Sequence, residues 1–86
     1  LWRIGETNIA LATLIRILKT DESYYRRESA NLLGNLGTQA KLAIPTLLEL
    51  LNDEEADVRQ AAREAVGKID PQAAAGIHDK FVGDAF

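Results

Sequence analysis

Apolar side chains crowd two stretches of the chain. Ile9, Leu11, Leu14, Ile15, Ile17 and Leu18 form the first; Leu42, Ile44, Leu47, Leu48, Leu50 and Leu51 form the second. Their spacing predicts helices over 8–18 and 39–51 that are apolar on most faces and must be covered on most faces. Two other segments, Ser23–Leu36 and Ala56–Ile69, are amphipathic. Tyr25, Ser29, Leu32, Leu33 and Leu36 share one side of the former; Val58, Ala62, Ala65, Val66 and Ile69 share one side of the latter. Small residues such as Ala30, Ala61, Ala62 and Ala65 let such helices approach closely. Polar links over 19–22 and 52–55 are rich in capping residue types, and Gly37 stands where the second helix should end. Asp70-Pro71 is a helix-start signal, opening a fifth helix toward Val82 that Gly76 and Gly83 weaken. No stretch alternates with period two for long enough to make a strand. The fold class is therefore all-α.

The pattern repeats. Sliding the chain by 33 places lays residues 9–37 over 42–70 without a gap. Seven positions are then identical: Ala10/Ala43, Thr13/Thr46, Leu14/Leu47, Leu18/Leu51, Glu22/Glu55, Arg26/Arg59 and Gly34/Gly67. Most of these fall on the apolar faces and at the links, where a structural repeat has to match. Leu14, Ile15, Leu18, Leu47, Leu48 and Leu51 are expected among the most buried residues, and Tyr25, which aligns with Val58, is expected in the core. Residues 6–37 and 38–70 read as two helix-pair units. Residues 1–5 resemble the end of a second helix, and 71–86 read as the first helix of a third unit. On this reading the 86 residues form one domain, an excerpt of a longer array.

The units resemble HEAT repeats, in particular the short repeats of phycobilisome-lyase type. Ala43-Ile44-Pro45-Thr46-Leu47-Leu48-Glu49-Leu50-Leu51-Asn52-Asp53 looks like a first helix with its proline and closing aspartate. Asp57-Val58-Arg59-Gln60-Ala61-Ala62-Arg63-Glu64-Ala65-Val66-Gly67-Lys68-Ile69 looks like the matching second helix. Unit one departs from this pattern, with Ala12 at the place of Pro45 and Thr20 at the place of Asp53. The resemblance implies an α-solenoid of about two helix pairs with partial units at both ends. It also implies an electrostatic ladder, with such residues pairing within and between units, in which Asp53 and Arg59 take part.

Composition narrows the function. The chain carries 10 Lys plus Arg against 13 Asp plus Glu, a net charge of −3, and no Cys. That balance argues against a nucleic-acid binder, and thiolate zinc sites and disulfides are excluded. The densest apolar run is too short to span a bilayer, and the first residues have no signal-peptide layout, so a cytoplasmic location and no membrane partner are expected. Asp53, Glu55, Asp57 and Glu64 fall at calcium-loop spacing, but Val58 occupies the place where the sharp turn needs glycine, and a solvated acidic helix start explains them better. His78 is the sole histidine. It cannot supply the paired His-Glu sites of iron-dependent HEAT enzymes. No nucleophile elbow or phosphate loop is present. No catalytic residue, cofactor or metal is expected.

What remains is surface. The outward positions of the two second helices are Tyr24, Arg27, Asn31 and Asn35, then Asp57, Gln60, Glu64 and Lys68. The resemblance implies a non-catalytic protein–protein interaction scaffold that uses these eight residues on a concave face, with Tyr24 and Arg27 of the types enriched at hot spots. An alternative is a part of a bilin lyase or isomerase of the same repeat type. Anion binding by Arg26 and Arg59 is a further alternative to the ladder. Trp2, Phe81 and Phe86 at the two ends raise the expectation of end-to-end self-association.

Overall fold

A computed structural model describes residues 4–76. Helix α1 spans Ile4–Ile17, α2 Ser23–Leu36, α3 Ile44–Glu49 and α4 Ala56–Ile69. Short 3-10 segments flank α3, Gly37–Ala43 before it and Leu50–Asn52 after it, and residues 71–76 are helical again. Among the described residues there is no strand, and no helix is long and apolar enough to cross a membrane. The expectations on Trp2, His78, Phe81, Phe86 and the end of the fifth helix lie outside the described residues.

Local chemistry accounts for the boundaries. Gly37 ends α2 with φ 64 and ψ −141, a conformation open to glycine because it lacks a Cβ, and its N–H donates to the Gly34 carbonyl. Asp70 starts the next helix: its Oδ1 accepts from the N–H of Gln72 at 3.1 Å and of Ala73 at 3.4 Å. The predicted starts of α2 and α4 and their ends agree with the structure.

Two predicted boundaries differ. The first helix begins at Ile4 rather than at residue 8, and Gly5 lies inside it instead of closing a preceding helix; one glycine costs a helix only about 1 kcal/mol. The predicted continuous helix over 39–51 is broken. Pro45 has no N–H to donate and its ring crowds the carbonyl four residues back, so the α-helical ladder cannot run through it. The chain therefore takes a 3-10 path with a non-helical Ala40 (φ −98, ψ 21), and α3 opens with the proline in its first turn.

The two units lie side by side, with α2 against α4 as the most extensive contact among the described residues. Three contacts define the register. Arg27 meets Asp57 near the start of both helices, Gly34 meets Ala65 further on, and Asn35 meets Lys68 near the end. Sequence positions rise together on both sides, so α2 and α4 are parallel. Gly34 permits the approach. A Cβ there would stand 3.1 Å from the Ala65 Cα.

The core runs between the layers. Leu18, Leu33, Leu47, Val58, Val66 and Ile69 are fully buried, with Leu11, Leu50, Leu51 and Ala61, Ala62 and Ala65 of α4 around them. Of the expected core, Leu18, Leu47 and Leu51 are buried and Leu14 and Ile15 pack at its margin, whereas Leu48 is 37% exposed. Tyr25 and Leu32 are 53% and 52% exposed, against the expectation for Tyr25 and for the apolar side of α2. Their counterparts Val58 and Ala65 are buried because α2 packs on that side of α4. No described helix packs on the corresponding side of α2, so the same repeat position is core in one unit and surface in the other.

Candidate protein-binding groove

Two groups of polar residues are built by this packing. The first lies at the links. Arg26, in the first turn of α2, donates through Nε to Asp53 Oδ2 at 2.9 Å and through Nη2 to Asp53 Oδ1 at 3.1 Å. Its Nη1 donates to the carbonyls of Thr20 at 2.8 Å and Asp21 at 2.9 Å. The two side chains are only 10% and 8% exposed. The guanidinium thus ties the link of its own unit to the link of the next. Asp53 also accepts from the Glu55 N–H at 2.9 Å. Burial pushes the Asp53 carboxyl up. The hydrogen bonds from Arg26 and Glu55, and the charges of Arg26 and Arg59, outweigh burial and hold it below its ordinary value. The Asp53 hydrogen bond, against the opposing effect of burial, raises Arg26 above its usual value.

The expected ladder is built between the units. Arg59 does not take the Asp53 carboxylate; its Nη1 donates to the Asp53 backbone carbonyl at 2.6 Å. That carbonyl is the counterpart, 33 residues on, of the Thr20 carbonyl held by Arg26, so both arginines repeat one act on their own link. The carboxylate is free to face backward to Arg26 because Arg59 is satisfied by backbone. Position 20, a threonine, has no carboxylate to offer in turn. Arg26 is therefore consumed by structure rather than left open for an anion.

The second group is the outward face of α2 and α4. A shallow cleft of about 310 Å³ runs between the helices, lined by Arg27, Asn31, Asp57, Gln60, Ala61 and Glu64. A smaller one of about 100 Å³ adjoins it, sharing Arg27 and Asp57 and adding Ser23, Tyr24, Glu55 and Val58. Six of the eight residues proposed from the repeat register thus line one continuous groove. The other two, Asn35 and Lys68, lie beyond it and meet each other at 3.5 Å. Sequence reasoning missed Glu55, which lines the narrow end. It also missed the bridge from Arg27 to Asp57 at 3.7 Å. The signal for that bridge was available: Asp57 stands one turn before Gln60, the counterpart of Arg27.

Arg27 is held from three sides. Its Nε is 3.5 Å from Glu28, Nη1 faces Asp57, and its guanidinium carbon lies 5.2 Å from the Tyr24 ring centre. The Tyr24 ring stands edge-on to Tyr25 at 5.3 Å. Gln60 donates to Glu64 at 2.7 Å along α4. The groove is open, polar and rigidly framed, and it offers carboxamide, carboxylate and aromatic contacts.

Compared with known protein families, residues 11–77 match HEAT repeats. The chain belongs to the HEAT-repeat family. Among curated proteins and among solved structures, nothing matches it. HEAT repeats commonly serve as protein-interaction scaffolds, and HEAT-repeat proteins are generally non-catalytic. In this HEAT chain the matched region contains both links, the Arg26–Asp53 pair and the whole groove.

Proposed function

We propose that the chain is a non-catalytic scaffold module that binds a protein partner along the groove between α2 and α4. One observation carries this reading. Residues chosen only because they face outward in a 33-residue register converge on one continuous cleft, with Tyr24, Arg27 and Asn31 on one wall and Asp57, Gln60 and Glu64 on the other. The strongly coupled charged pair, Arg26 with Asp53, lies outside that cleft and ties the two links together. The groove side chains are instead set on helices whose spacing is fixed by Gly34 and Ala65, a rigid base on which side-chain positions are held for recognition.

A random peptide library displayed against the folded chain tests the proposal, with each selected binder mapped by amide chemical shifts. The expected perturbations fall on Arg27, Asn31, Gln60 and Glu64. Binders that map to α1 and α3, or a library that yields none, would count against it.

A further inference from the structure

We infer that the occupant of the α2–α4 groove is an extended peptide segment carrying lysine or arginine. The inference rests on the scaffold reading and specifies its partner. Three carboxylates line the groove, Glu55, Asp57 and Glu64, against one cation, Arg27. Arg27 is already engaged by Glu28, Asp57 and the Tyr24 ring. Among the described residues no cation pairs with Glu55 or Glu64, and the Asp57 side chain is 80% exposed. A cationic side chain is the complement of that surface, whereas an acidic peptide or a nucleic-acid backbone would meet like charge.

Shape selects a chain over a compact ligand. The groove is a shallow furrow, unlike the enclosed cavities that bury most of a small molecule. Tyr24 and Asn31, both of which line the groove, are about 10 Å apart along α2 at the rise of an α-helix, the length of about three extended residues. Asn31 lines it with a carboxamide that both donates and accepts, as a peptide backbone requires, and Gln60, whose Nε2 donates to Glu64, adds its oxygen as an acceptor. The exposed edge of Tyr24 offers an apolar seat for the methylene stem of a lysine or arginine.

The test uses the full chain and three fluorescent decapeptides of a shared Gly-Ser frame, carrying three lysines, three glutamates or no charge. Anisotropy should show the lysine probe binding at least fivefold tighter than the neutral one, and weakening severalfold between 50 and 300 mM salt. Glu64→Lys should weaken it about tenfold and the milder Glu64→Gln about threefold. Glu49→Lys, an equal change of net charge on α3, should leave it within twofold. The inference is overturned if the lysine probe binds no better than the neutral one, or if Glu49→Lys weakens it as much as Glu64→Lys does. A neutral or acidic peptide that perturbs Asn31 and Gln60 removes the charge assignment and leaves the scaffold standing. If no library peptide perturbs the groove, both readings fall.

Discussion

Gly34 and Gly67 occupy the same place in the two units, yet they do different work. A methyl group on Gly34 would press on the Ala65 backbone at 3.1 Å, whereas one on Gly67 would meet the Ala74 Cβ at an ordinary 4.0 Å. Gly34→Ala should therefore destabilise the fold by about 1–2 kcal/mol, the cost of overpacking less the gain in helix propensity. Gly67→Ala should stabilise it by about 0.5–1 kcal/mol. Thermal unfolding of the two variants checks the pair; equal shifts would contradict the contact. Asp53 gives a second residue-scale outcome. Its folded-state pKa lies below the unfolded value, so its stabilisation is complete above roughly pH 4 and is lost as pH falls through the folded value. Asp53→Asn should thus melt below the wild type at pH 6, and the gap should narrow as pH falls below about 4. The sequence showed that both glycines and both arginines repeat. It did not show which copy bears the contact, because that depends on the neighbour each unit has rather than on the unit itself.

At the scale of elements, the first helices of the two units show how far periodicity reaches. Both stretches are dense in leucine and isoleucine, and that density marks a helix without saying which leucine points inward. Leu47 is fully buried and Leu48 is 37% exposed. Leu47→Ala should cost about 2–5 kcal/mol, enough to threaten a domain of this size, while Leu48→Ala should cost less than about 1 kcal/mol. Denaturant titration of both variants reads the difference. The bounds of the amphipathic second helices were legible to the residue, whereas their faces were not, since Tyr25 and Leu32 of α2 are exposed and Arg26 is buried. The break in the segment before α3 was not anticipated, although Pro45 was in plain view. A proline in the first turn and a 3-10 approach are one packing solution; a kinked continuous helix is another, and local sequence does not choose between them. The groove was legible because outward positions follow directly from helical geometry. The ladder was legible in kind, but which arginine takes the Asp53 carboxylate was not, since that pair joins residues 27 apart through a contact that exists only after the units stack.

On the scale of the whole molecule, the decisive asymmetry among the described residues is that α4 has more neighbours than α1. Helix α4 packs on α2, on α3 and on both 3-10 segments, while α1 rests chiefly on α2 and the first 3-10 segment. A repeat fold is stabilised by neighbour contacts added one by one, so a helix with fewer neighbours opens at lower free energy than the molecule as a whole. In deuterium oxide the amides of α1 should exchange first, through local opening, and those of Val58 to Ile69 last, through global unfolding. An exchange profile with α1 as protected as α4 would contradict this ordering. The parallel α2–α4 pair that carries the groove is then also the last part of the chain to come apart. A scaffold arranged in this way can fray at α1 for long intervals while the surface it presents to a partner keeps its shape.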